Sequence, residues 1–152
     1  MKTEQAKVER VPMSFREKPA WIMSIALLLG GMVYFSTVVS MWFESRQVAS
    51  PAIPLLVAYV LVICVLAVLG HIIAASFTPK DAHAAVDERE RQIFNRAGHT
   101  ASFVSGAGVA MSLGVYLFSQ SGDLLFHTVF ASLMLGQLAD YFLQIRFYRT
   151  SI

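Results

Sequence analysis

The chain has 152 residues, of which 56% are hydrophobic and only 14% charged, and its mean hydropathy is +0.58. Soluble domains carry about 25% charged residues, so this chain lacks the polar groups to cover a water-facing surface, which excludes an ordinary soluble enzyme and a disordered tail. Its one cysteine, Cys64, lies inside an apolar run, which excludes a disulfide-stapled secreted module.

Residues 1–20 form a charged cytoplasmic or interfacial segment. Within it Ser14-Phe15-Arg16-Glu17 has the form of a capping box. Pro19 interrupts the helical pattern just before Trp21, which predicts a short interfacial helix bent into the first span. Four apolar runs follow, at residues 21–43, 51–77, 97–119 and 124–145. Each approaches the roughly 20 residues that a helix needs to cross the hydrocarbon. The alternation of a membrane β-strand is absent, so the fold class is an all-α integral membrane four-helix bundle, its transmembrane domain spanning 21–146 and its tail 147–152.

Two short connections, 44–50 and 120–123, make spans one and two, and three and four, antiparallel neighbours. Between the hairpins, Thr78-Pro79-Lys80-Asp81 stops the second helix and Asp87-Glu88-Arg89-Glu90 starts the third with acidic groups at its positive end. No breaker follows before the apolar run. One continuous helix of about 32 residues and about 48 Å is therefore expected from Glu88, with residues 88–96 projecting into the cytoplasm. Of the 12 Lys and Arg residues, only Arg46 falls in the connections 44–50 and 120–123. The positive-inside rule then puts both termini and the central loop in the cytoplasm, and the basic residues are a topology signal with no nucleic-acid partner implied.

The entry Phe15-Arg16-Glu17-Lys18-x-x-Trp21, four spans, and the run Asp87-Glu88-Arg89-Glu90-Arg91-Gln92-Ile93 together resemble a group of small bacterial four-span membrane proteins with an Asp-Glu-Arg-Asp/Glu signature before the third span. The resemblance implies a bacterial inner-membrane setting and no particular reaction. It also marks Asp87, Glu88, Arg89 and Glu90, with Arg91 beside them, as candidates for a cytoplasmic docking or assembly surface.

Two intramembrane stripes stand out. Gly98, Ser102, Gly106, Ala110 and Gly114 recur at i+4 on the third span, a ridge that lets another backbone approach. Packing inside the bundle is the favoured use of it, and a homodimer seam the alternative. On the fourth span Ser132, Gly136, Asp140 and Gln144 share the same spacing, with Gln137 alongside. A carboxylate at the depth of Asp140 needs a partner, water or a proton. His71 and His99 lie at similar depth, so the three can meet at the cytoplasmic side. There they form either a clamp, in which His71 and Gln137 satisfy Asp140, or a site for a proton or cation.

No two histidines have metal-ligand spacing, two isolated histidines (His71 and His99) are no haem signature, and no phosphate loop or nucleophile elbow is present. No cofactor or metal is expected. His127, near Asp123, reads as an interfacial residue. The sequence points to a non-enzymatic accessory, assembly or regulatory membrane protein that presents a charged cytoplasmic surface to a membrane or cytoplasmic protein partner. The alternative is a small homo-oligomeric transporter or channel that handles a proton or cation at Asp140, His71, His99, Gln137 and Gln144.

Overall fold

The structure, a computed structural model, describes residues 17–77 and 87–150. It contains four α-helices, α1 (Glu17–Ser45), α2 (Ile53–Phe77), α3 (Glu88–Ser119) and α4 (Gly122–Arg149), and no strand among the described residues. All four are long and apolar enough to cross a membrane. Ser14 and Thr78 to Asp81, read above as a helix start and a helix stop, lie outside the described residues.

Local chemistry accounts for the helix ends. Pro51 precedes α2 and Pro54 sits in its first turn, where a missing N–H costs no ladder bond, and the amides of Leu55 and Leu56 donate to the Ala52 carbonyl at 3.1 Å. Pro19 likewise falls in the first described turn of α1, which is helical from Glu17 to Ser45, and the start of the expected interfacial helix lies outside the described residues. At the start of α3 the Asp87 carboxylate accepts from the Glu90 amide at 2.7 Å, and the Glu90 carboxylate accepts from the Asp87 amide at 3.2 Å. This reciprocal capping box gives two residues of the acidic signature a structural task. From Glu88, α3 continues unbroken for 32 residues. It stops at Gln120, whose left-handed conformation (φ 52°) turns the chain, and Ser121 starts α4 by accepting from the Leu124 amide at 3.2 Å.

The helices pack in the order α2–α1–α4–α3, so each hairpin is intact and the α1–α4 contact joins the two. Small residues set the separations. A Cβ on Gly31 of α1 would meet the Met134 sulfur of α4, and one on Gly108 of α3 would come within 2.7 Å of Ser132 Cβ. A Cβ on Gly136 of α4 would fall on the Ser105 hydroxyl. Ser112 and Ser132 Oγ lie 3.3 Å apart across the same α3–α4 seam, and each also donates to a carbonyl one turn back, at 2.8 and 2.7 Å.

This seam corrects the expectation for the small-residue ridge. Ala97, Ala101 and Ser112 are the buried face of α3, whereas Ser102, Gly106 and Ala110 are exposed, and a Cβ on Gly98, Gly106 or Gly114 would meet nothing within 4 Å. The reason is angular. At about 100° per residue, turning Gly108 toward α4 swings Gly106 about 200° away. The middle of the ridge, Ser102, Gly106 and Ala110, therefore points away from the bundle, and the half-buried Gly98 and Gly114 at its ends leave open space beside them.

Two valine substitutions separate the faces. Gly136→Val should lower stability by about 1–3 kcal/mol through overpacking at Ser105, and Gly106→Val should change it by less than about 0.5 kcal/mol. Denaturant titration of the detergent-solubilised protein, followed by tryptophan fluorescence, checks this; equal losses would mean that both faces pack internally.

Candidate functional site

All four helices contribute to one open crevice of about 440 Å³ at the end of the bundle where α1 starts and α4 finishes. Pro19, Ala20 and Met23 come from α1, His71 from α2, Phe94 from α3, and Asp140, Tyr141 and Gln144 from α4. The polar stripe of α4 explains its chemistry. An i+4 row winds by about 40° per step, so the row that meets α3 at Ser132 and Gly136 turns into the crevice at Asp140 and Gln144.

Asp140 is half-buried, and its Oδ1 is buried with no hydrogen-bond partner among the described residues. Gln144 is buried behind it. His71 Nδ1 lies 2.7 Å from the Ala67 carbonyl oxygen. A carbonyl only accepts, so Nδ1 carries a proton and, in the neutral ring, Nε2 is left as an acceptor. The crevice thus brings together Asp140, His71 and Gln144. It does not include His99, which is exposed on α3 with its ring edge-on to Phe103 at 5.1 Å. His99 follows the packed Ala97 by two residues, about 200° around the helix. Gln137 is also exposed, and the expected clamp is not formed, since Oδ1 lacks a partner. Among the described residues no group of three or more His, Cys, Asp or Glu side chains is placed to hold a metal ion.

The charged start of α3 lies beside this end. Asp87, Glu88, Arg89 and Arg91 are exposed and Glu90 is half-buried. Arg91 pairs with Glu88 at 3.9 Å, a contact between exposed groups that adds at most tenths of a kcal/mol. Arg89 lines a shallow cleft with Gln92, Ile93, Arg96 and Phe147.

Two polar clusters emerge only from the structure. At the crevice end Glu17 is buried and accepts from Arg149 Nε at 2.7 Å and from Trp21 Nε1 at 2.9 Å, with the Arg149 guanidinium 5.5 Å from the Trp21 ring centre. An acid in the entry segment facing an arginine at the end of the last span is the signal that could have found it. An even number of spans returns both to one side. At the opposite end His127 is buried among the helices. Its Nε2 donates to the Ala49 carbonyl at 2.8 Å, so Nδ1 accepts from the Tyr34 hydroxyl at 3.0 Å, inside a cluster of Tyr34, Tyr59 and Phe130 rings. Asp123, its sequence neighbour, instead accepts from Ser50 Oγ at 3.0 Å.

No protein-family model matches the chain, and no curated protein or solved structure matches it either.

Removing the Arg149 side chain should leave the buried Glu17 carboxylate, among the described residues, with only its tryptophan donor. The Arg149 side chain is 56% exposed, which moderates the loss, and Arg149→Ala should cost about 1–3 kcal/mol. Adding Glu17→Gln should recover part of it, and additive losses in a double-mutant cycle of thermal unfolding would show that the pair is uncoupled.

Proposed function

We propose that this chain is a small polytopic protein of the bacterial inner membrane, with both termini cytoplasmic, that acts as an accessory, assembly or regulatory component. The charge distribution supports the orientation, and the likeness to small four-span proteins with an Asp-Glu-Arg-Asp/Glu signature supports the setting. The observation that carries the role is the outward ridge of α3. Gly98, Ser102, Gly106, Ala110 and Gly114 leave its outer face open, and in hydrocarbon such a face gains most from a second helix at close range. The exposed Asp87, Glu88, Arg89 and Arg91 stand at the start of the same helix, so one partner can be gripped by ridge and charges together.

Gentle extraction into nanodiscs followed by native mass spectrometry tests this. A stoichiometric second protein is expected. It should be lost with Gly106→Ile or with the charge reversals Arg89→Glu and Arg91→Glu, while helical content and melting temperature are unchanged. A lone monomer, or a complex indifferent to all three changes, would sink the proposal.

A second reading, a small homo-oligomeric transporter or channel for a proton or cation, is favoured by the crevice. Asp140 Oδ1 is buried there without a partner, and His71 lines the same space. An isolated homo-oligomer with Asp140-dependent cation flux in proteoliposomes supports this reading over the first.

A further inference from the structure

At the start of α3 the charges are sorted by face. Arg89, Gln92 and Arg96 recur at i, i+3 and i+7 and so lie within about 60° of one another around the helix, whereas Asp87, Glu88 and Glu90 fall about 80° or more from either arginine. The acids also have tasks of their own: Asp87 and Glu90 cap the helix, and Glu88 takes Arg91 at 3.9 Å. Arg89 and Arg96 are exposed, and neither side chain makes an ion pair among the described residues, whereas Arg91 and Arg149 are both engaged. With Gln92 they line one shallow cleft, whose remaining lining, the buried Ile93 and the half-buried Phe147, is apolar. Arg96 is also the last charge before residues 97–119, which hold no Asp, Glu, Lys or Arg. Beyond it the same face of α3 continues as Phe103, Ala107 and Met111, all exposed, Phe103 at 67% and Met111 at 70%. One strip of the helix thus changes from two unpaired guanidinium groups to an open apolar track where the uncharged stretch begins.

We infer that this strip binds an anionic phospholipid, its phosphate between Arg89 and Arg96 with the Gln92 amide as a further donor, and its acyl chains along Phe103 and Met111. Seven residues separate the arginines by about 10.5 Å of helix, so their long side chains can close on one headgroup from both sides. Guanidinium forks suit phosphate oxygens, and basic pockets at the ends of spans are a recurrent seat for anionic headgroups. A zwitterionic phospholipid would bring an ammonium group beside two cations. A free phosphate, or an acidic segment of another protein, would match the arginines and leave the apolar track unused. The inference rests on α3 crossing the membrane, as the proposed function has it, and goes beyond that reading in assigning a lipid site.

The test titrates the full chain in mild detergent with dioleoyl phosphatidylglycerol, with dioleoyl phosphatidylcholine as the zwitterionic counterpart, and counts bound lipid by native mass spectrometry. Phosphatidylglycerol should bind at least about tenfold more tightly. Arg96→Gln should weaken it by at least about fivefold, and Arg89→Gln with Arg96→Gln by at least about tenfold. Thermal unfolding should be unchanged, because both side chains are exposed. Arg91→Gln removes an equal charge about 140° or more around the helix and should leave lipid binding as in the wild type; an equal loss there would mean diffuse attraction and overturn the site. Equal binding of the two lipids overturns it too, as does displacement of the lipid by inorganic phosphate. The two levels fail separately: a chain isolated with its lipid and no protein partner supports the lipid site and sinks the accessory role, whereas a protein partner kept with no lipid preference does the reverse.

Discussion

Where α3 and α4 meet, the side chains are so small that the two backbones nearly touch. Gly136 takes the Ser105 hydroxyl and Gly108 takes Ser132. Without a hydrophobic drive between helices in lipid, such close packing is what holds them. It also fixes rotation. Once Gly108 faces α4, the ridge through Gly106 must face outward, and once Gly136 faces α3, the winding of the same α4 row carries Asp140 and Gln144 into the crevice. The outward ridge and the inward carboxylate are two consequences of one contact.

The α1–α4 pair is the middle of the assembly, and polar contacts tie it at both ends. Glu17, Trp21 and Arg149 join the helices beside the crevice, and Tyr34 and His127 join them at the far end, with the Ala49 carbonyl completing the chain. Between these ties the contact is made by Gly31 and Met134, which gives closeness without direction. Hydrogen bonds supply the direction, because a buried donor or acceptor loses about 1–3 kcal/mol when its partner slides away. Ser112 and Ser132 add a hydroxyl contact of 3.3 Å between α3 and α4; of the described α2 side chains only Ala74 is buried, and the rest of that helix suits a lipid solvent.

Much of this was readable in the residues, and the limits have physical causes. Four helices and two hairpins follow from run length and loop length, and the helix start at Asp87 from the chemistry of capping. The inward direction of Ser132, Gly136 and Gln144 follows from the cost of polar groups in lipid. The choice between two rows on α3 does not follow. Ala97, Ala101, Ser105, Gly108 and Ser112 are as small as Gly98, Ser102, Gly106, Ala110 and Gly114, and only the position of α4 tells which is the seam. His127 offered no periodic signal either, since its burial is set by Tyr34, 93 residues away. The placing of His71 and Asp140 on one crevice, and of His99 outside it, depends on helix rotations of about 100° or less, finer than spacing alone can resolve.

The two surfaces are distinct yet share an element. None of the ridge residues lines the crevice, and Phe94 is the one α3 residue that does. Phe94 is also edge-on to Tyr148, at 6.5 Å between ring centres, and stands one turn from Arg91. Ile93, in the turn before Ala97, is buried as well, so the first turns of α3 are held to the bundle together with the Gly108 and Gly136 contacts. Coupling between an occupied crevice and a docked partner would run through those turns, and linkage requires it to act equally in both directions.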